Sequence, residues 1–244
     1  MRATLAIAGS VVADALRRKV VYIVLAFAAF MAIAIPRLPS YGVGVVEGVF
    51  REVSLALMYV VAMVVTLSLS ANRVPSEVER RYVYNILGRD VRRWQYLLGS
   101  WLGVFFVMAG VVAAFTLVTM GVGGYTYQQV MWRIWEGSLA IWLETGVVAA
   151  FAIMISTVTG PVPVTVASLA FIFVAHLGGG VVESEAMVAK STFYPTLETF
   201  NIINPVAHGS GVSPGYIGLM LLVGFAWVAA LLAGSALLFE RKDL

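Results

Sequence analysis

The chain has 244 residues, of which 61% are hydrophobic and 12% are charged, with a mean hydropathy of +0.92 and a net charge of +3. Soluble domains are about 45–50% apolar, so this composition indicates a single integral membrane domain over residues 1–244. The small net charge gives no reason to expect nucleic acid as a partner. The absence of cysteine excludes disulfides, thiolate metal sites and cysteine nucleophiles.

Residues 1–18 predict an amphipathic helix that lies in the plane of the membrane. Three polar residues share one helical face: Ser10, Asp14 and Arg17. Three apolar residues share the opposite face: Leu5, Val12 and Leu16. A cytoplasmic extension of the first spanning helix is the alternative. The segment lacks the compact apolar core and cleavage site of a signal peptide, so we expect it to be retained.

Six apolar segments are long enough to cross a bilayer, which takes about 20 residues. They are residues 19–36, 50–71, 96–120, 138–158, 163–182 and 215–239. With both termini in the cytoplasm, the inner side carries 12 Lys and Arg residues and the outer side carries 4. Because basic residues favour the cytoplasmic side, we expect an all-α, multi-pass cell-membrane protein with six spanning helices and both termini inside.

Two of the expected outer loops carry a pattern. Residues 121–137 contain Trp132 and Trp135, which are typical of the aromatic belt at a membrane interface. Residues 183–214 combine proline, asparagine and aromatic side chains, and they predict an ordered cap or a re-entrant segment.

The inner loop at 72–94 is the most highly charged part of the chain, with nine charged side chains between Arg73 and Trp94. Ser76 and Glu79 have the spacing of an N-terminal capping box, and Gly88 suits a C-terminal cap. Together they predict a short helix that begins after Ser76 and ends before Gly88. Such a helix can dock into a groove of a protein partner. A solvated loop held against lipid headgroups is the alternative, and composition alone leaves both open.

Motifs of catalysis and nucleotide binding are missing from the sequence. It contains no phosphate-binding Gly-x-x-x-x-Gly-Lys-Ser/Thr loop, no Gly-x-Ser-x-Gly and no His-Glu-x-x-His. Only His176 and His208 are histidines, and they are far apart. We therefore assign no catalytic residue and no metal site, and we do not expect the chain to be an enzyme.

Two pairs of residues inside the apolar segments are candidates for function. Glu144 and His176 lie at a similar depth in the fourth and fifth segments, about 10 Å from the outer surface. They predict a carboxylate–imidazole pair that faces a transport pathway or serves as a structural bond between helices; outward snorkelling is a further alternative. Gly99 and Gly103 form a Gly-x-x-x-Gly motif, which we assign to a contact between subunits.

The run from Glu77 to Gly103, EVERRYVYNILGRDVRRWQYLLGSWLG, resembles the first cytoplasmic loop of type-2 ABC transporter permeases. Residues 15–22 are similar to the entry of that family into its first span. Residues 194–209 resemble the last outer loop of the branch that includes the copper-enzyme maturation permeases. Two positions depart from the pattern, since Asp90 stands where the family often has proline and Ser100 where it often has lysine.

This resemblance implies the transmembrane subunit of an ATP-driven exporter. A separate ABC ATPase subunit would bind ATP and Mg, so the chain itself would hold no cofactor. A second permease copy, or a homologous permease, would complete a dimer in the membrane lipid. The residues that the resemblance assigns to ATPase coupling are Glu77, Glu79, Arg80, Arg81, Tyr82, Arg89 and Arg93.

Two other functions are alternatives. One is a non-transporting anchor through which an ATPase sends mechanical force to an outer partner, and the long loop at 183–214 keeps this open. The other is a membrane enzyme that modifies lipid, which would need clustered carboxylates or histidines at the bilayer surface. The sequence does not identify the transported cargo.

Overall fold

A computed structural model of the protein describes residues 2–17, 20–34, 45–75, 92–128, 131–180 and 196–240. These ranges are almost entirely helical and contain no strand. The α-helices are α1 Arg2–Arg17, α2 Val20–Ala34, α3 Val45–Ser70, α4 Arg93–Tyr127, α5 Ile134–Ser156, α6 Pro161–Gly180, α7 Ile203–Ala207 and α8 Pro214–Glu240. A 3-10 helix at Leu197–Phe200 precedes α7.

Four helical segments are long and apolar enough to cross a membrane. They are Val46–Pro75, Arg93–Tyr127, Ile134–Ser156 and Pro214–Phe239. They coincide with the second, third, fourth and sixth segments expected from the sequence. Shorter apolar helices occupy Thr4–Leu16, Tyr22–Met31 and Pro161–His176. The described part of the chain is therefore helical, and the chain is a membrane protein with several apolar helices.

Helix α5 is the centre of the bundle. It packs against α3, α4, α6 and α8, and every residue from Leu143 to Ala150 is buried. A helix that is apolar on all sides is expected in such a position. Gly146 permits a close approach of α4, because a Cβ atom there would lie 2.8 Å from the Phe105 ring of α4. The Trp101 indole donates a 2.8 Å hydrogen bond to the Gly146 carbonyl across this contact.

Helix α4 is longer than expected, and the prediction of a loop over 121–137 was wrong at its start. The glycine-rich residues 121–127 remain helical. A Cβ atom on Gly123 would lie 2.7 Å from both Phe50 and Met131, so the absence of a side chain lets these residues pack closely. The helix ends at Gln128, whose φ of 56° is the left-handed conformation of a C-terminal cap.

Helix α1 lies along α4 and contacts it through its buried residues. These are Thr4, Ile7, Ala8, Val11 and Ala15. A Cβ atom on Gly99 would lie 2.8 Å from the Thr4 carbonyl oxygen, and one on Gly103 would overlap the Val11 side chain. The glycine pair therefore makes a contact within the chain, and its assignment to a subunit contact is corrected. The Gly-x-x-x-Gly motif alone does not indicate which helix packs against it.

The exposed surface of α1 agrees with a helix at a membrane interface. Leu5 and Leu16 are 62% and 63% exposed and Val12 is half-buried, as the predicted apolar face requires. Ser10 and Asp14 lie on a separate polar face. The helix therefore has two apolar faces, one against α4 and one directed away from the bundle.

Residues 196–213 form a cap over one end of the bundle, which we call the cap end. Five apolar side chains of the cap are buried: Leu197, Phe200, Ile202, Val206 and Ala207. Residues 196–213 therefore pack against the helices, and whether they form an outer cap or a re-entrant segment stays a prediction. Residues 183–195 of the predicted loop lie outside the described residues.

Three charged side chains bind the backbone of the cap to the helices. Arg51 of α3 forms an ion pair with Glu47 and donates to the Ala207 carbonyl at 3.3 Å. Arg133, which precedes α5, donates to the Ser210 carbonyl at 2.8 Å. Glu136 of α5 accepts a hydrogen bond from the Val212 amide at 2.9 Å.

Candidate functional site

A polar cluster joins three helices inside the bundle. Glu144 of α5 accepts a 2.9 Å hydrogen bond from the Tyr59 hydroxyl of α3. The Nε2 atom of His176, on α6, lies 3.6 Å from the same carboxylate oxygen. The Tyr59 and His176 rings meet edge to face with centroids 5.9 Å apart. The predicted contact between Glu144 and His176 is confirmed, and Tyr59 is a member that the sequence did not reveal.

The members of the cluster differ in exposure. Glu144 is 2% exposed, whereas the side chain of His176 is 28% exposed. The Nδ1 atom of His176 lies 3.0 Å from the Ile172 carbonyl oxygen. If Nδ1 donates to that carbonyl, an attractive contact between Nε2 and Glu144 requires one further proton, held by either the imidazole or the carboxyl. The arrangement can therefore hold a proton between a buried group and a partly exposed one.

A second polar region lies at the end of the bundle opposite the cap end. We call this end the loop end. Arg73 and Arg93 are two of the described charged residues on either side of the undescribed part of the charged loop. Arg73 contacts α1, with its Nη1 atom 3.2 Å from Asp14 and its Nη2 atom 3.4 Å from the Ser10 hydroxyl. This contact joins the start of the charged loop to the polar face of α1.

Arg93 contacts the last helix. It donates a 2.6 Å hydrogen bond to the Phe239 carbonyl, and its guanidinium lies 5.6 Å from the centroid of the Phe239 ring. Unpaired carbonyls at a helix C-terminus favour a cation, so Arg93 stabilises the end of α8. The sequence assigned Arg93 to ATPase coupling, and it did not suggest this contact within the chain.

The remaining residues assigned to ATPase coupling lie outside the described residues. They are Glu77, Glu79, Arg80, Arg81, Tyr82 and Arg89. The expected short helix of this loop and the departure at Asp90 also lie there. The other departure, Ser100, is fully buried in α4, where a lysine side chain would be enclosed by the bundle.

Acidic and histidine side chains are sparse in the structure. Among the described residues, no group of three or more His, Asp or Glu side chains is arranged to hold a metal ion. The Tyr59–Glu144–His176 cluster has a single carboxylate and one imidazole. Its described contacts are one hydrogen bond to the carboxylate and one approach of the imidazole to the same oxygen.

Comparison with known proteins identifies a family. No curated protein matches the chain. A family model described as a protein of unknown function, DUF2705, matches residues 13–244. This match covers the Tyr59–Glu144–His176 cluster, the charged loop and the cap. The chain therefore belongs to the DUF2705 family of proteins of unknown function.

Proposed function

We propose that the chain is the transmembrane permease subunit of an ATP-driven ABC exporter. A separate ATPase subunit would bind ATP and Mg and dock on the charged loop at 72–94. In this proposal six helices cross the cell membrane and both termini lie in the cytoplasm. The observation that carries it is the run from Glu77 to Gly103, with the charge pattern and order of a coupling loop in such permeases.

The contacts beside the loop support this role. A displacement of the loop would act on α1 through Arg73 and Asp14, and on α8 through Arg93 and Phe239. Helix α8 packs against α5, and α5 carries Glu144. Close-packed helices transmit displacement rather than absorb it. A partner that moves the loop would therefore move the helices around the polar cluster.

In the proposed exporter the Tyr59–Glu144–His176 cluster faces the pathway. A buried carboxylate inside a membrane is disfavoured and commonly functional, which supports this role. The alternative is a structural bond between α3, α5 and α6. Glu144→Gln and His176→Gln separate the two: the pathway role predicts slower transport with unchanged assembly. Unchanged transport in both variants would exclude it.

Reconstitution with a purified ATPase partner tests the function. The chain and the ATPase would be placed in liposomes with fluorescent lipid-like, peptide and drug-like compounds. We expect ATP-dependent movement of one class of compound. A chain with residues 77–89 scrambled is the control, and it should lose movement. ATP hydrolysis without movement of any compound would contradict the exporter.

The second candidate is a mechanical anchor, and the cap favours it. Residues 196–213 are fastened to α3 and α5 through Arg51, Arg133 and Glu136, so motion of these helices would be passed to the cap. An anchor predicts that ATP changes the distance between spin labels on the caps of the two permease copies while no compound crosses the liposome membrane.

A further inference from the structure

An apolar furrow runs along the outside of the bundle between α4 and α5. It encloses about 440 Å³ and is lined by residues that include Ala109, Ala113 and Leu117 of α4 and Trp135, Leu139 and Trp142 of α5. Because alanine side chains are small, Ala109 and Ala113 leave space along the bottom of the furrow. The Thr116 and Ser138 hydroxyl oxygens lie 2.7 Å apart, and each also lies within hydrogen-bond distance of a carbonyl of its own helix, so both hydroxyls can donate within the protein. The furrow is therefore suited to an apolar chain.

A polar concavity adjoins the furrow at the cap end and shares Trp135 with it. It is bordered by Trp132, Arg133, Trp135 and Glu136. Trp132 is 71% exposed, and the Arg133 side chain is 49% exposed. Exposed tryptophans of this kind favour the level of the lipid headgroups. The boundary between headgroup and hydrocarbon would then fall at Trp135.

Arg133 and Glu136 place one positive and one negative side chain at this concavity, and of the two only Arg133 is largely exposed to solvent. Of the five N–H donors of a guanidinium, the described contacts use one for the Ser210 carbonyl, with Glu136 at 3.8 Å. The Glu136 carboxylate also accepts from the Val212 amide, so its charge is shared with the cap backbone. The first amides of α5 already donate to the carbonyls of Met131, Trp132 and Arg133, so the anion site depends on the Arg133 side chain and not on the helix N-terminus.

We propose that this surface binds one membrane phospholipid, with its phosphate on Arg133 and one acyl chain in the furrow between α4 and α5. An arginine offers two parallel hydrogen bonds to a phosphate, which suits this headgroup better than an uncharged one. The apolar furrow begins where the charged concavity ends, as it does along a phospholipid from headgroup to chain. This site is independent of the proposed transport function.

Native mass spectrometry of the delipidated full-length protein in a non-ionic detergent tests the proposal. The two probes are phosphatidylglycerol and a diacylglycerol with the same acyl chains. We expect the phospholipid to bind more tightly by about tenfold or more, because the diacylglycerol has no phosphate for Arg133 to bind. Arg133→Gln should abolish this preference for one lipid molecule per chain. Ala113→Phe should weaken the binding of both lipids by filling the furrow.

Two matched variants control for charge and for added bulk. Arg92→Gln removes an exposed arginine at the loop end, and Gly110→Phe adds a ring to α4 where no atom lies within 4 Å of the added Cβ. Both variants should still bind phosphatidylglycerol more tightly than diacylglycerol at this site. Unfolding temperatures verify that all variants remain folded, and Arg133→Lys should restore part of the preference.

Three results would overturn the proposal. The first is equal affinity for phospholipid and diacylglycerol. The second is a preference that survives in folded Arg133→Gln. The third is that a second copy of the chain covers the furrow. Because the chain has no cysteine, Leu117→Cys would reveal this third outcome as a disulfide-linked dimer in high yield.

Discussion

Glu144 lies near the middle of α5 among buried apolar residues, where an unpaired carboxylate would be strongly disfavoured. The Tyr59 hydroxyl supplies a hydrogen bond, and the His176 imidazole lies 3.6 Å from the same carboxylate oxygen. The three residues come from three different helices. Their contact therefore helps to fix the relative positions of α3, α5 and α6.

A double-mutant cycle between Tyr59 and Glu144 tests this contact at the residue scale. Tyr59→Phe, Glu144→Leu and the double variant would be unfolded with a denaturing detergent. We expect a coupling free energy of about 0.6 kcal/mol and at most about 1.7 kcal/mol, the range for hydrogen bonds between membrane helices. Tyr125→Phe is the control, because Tyr125 is 84% exposed and should not couple with Glu144. A coupling energy within error of zero would show that the hydrogen bond contributes no stability.

The sequence could predict part of this cluster. Glu144 and His176 stand out because each is polar within an apolar run, and counting from the ends of the runs places them at a similar depth. Tyr59 does not stand out, because a tyrosine is common in apolar segments. Its hydroxyl points to a polar contact only once the partner on the other helix is known. Which faces of α3 and α5 meet is decided by packing.

At the element scale, the glycines of α4 determine where α1 can lie. Gly103→Ala should destabilise the protein by about 1–3 kcal/mol, the usual range for overpacking, because the new methyl group would overlap Val11. The measurement is thermal unfolding in detergent. Adding Val11→Ala should recover part of the loss by making room for the methyl group.

Gly110→Ala is the matched control on the same helix. No atom lies within 4 Å of the added Cβ, so this variant should match the parent protein or exceed it by about 0.5–1 kcal/mol, since alanine is the better helix former. Equal unfolding free energies for Gly103→Ala and Gly110→Ala would contradict the close contact between α1 and α4.

The contact between Arg93 and α8 is the second prediction at the element scale. Arg93→Gln should weaken the last turn of α8 by about 1 kcal/mol, from the lost interactions with the helix terminus and with the Phe239 ring. Faster amide hydrogen exchange over residues 236–240 would report this. The neighbouring Arg92→Gln is the control, because Arg92 is exposed. Unchanged exchange in Arg93→Gln would mean that its contact with Phe239 does not hold the helix end.

Segment composition predicted the positions of the elements better than their ends or their contacts. The long apolar runs correspond to α3, α4, α5 and α8 within a few residues. The extension of α4 through residues 121–127 was missed, because glycine is a poor helix former and only the approach of Phe50 and Met131 explains it. The partner of the Gly99–Gly103 pair was missed because a motif describes one helix alone.

At the scale of the whole molecule, the distribution of Lys and Arg predicts the orientation in the membrane. The 12-to-4 division favours cytoplasmic termini and an outer cap. Single cysteines test this directly, because the chain has none of its own. A membrane-impermeant maleimide should label Asn204→Cys, an exposed cap residue, in intact cells. It should label Asp243→Cys only after permeabilisation, and the reverse pattern would contradict the orientation.

The central claim is that the loop at 72–94 is the docking site of a separate ATPase. A photoactivatable amino acid at Glu79 or Arg81, in the full-length chain in its native membrane, tests it most directly. We expect both positions to cross-link to a subunit that hydrolyses ATP, and scrambling residues 77–89 should abolish its association with the chain. Failure of both positions to capture an ATPase, with an ATPase still bound after scrambling, would contradict the claim.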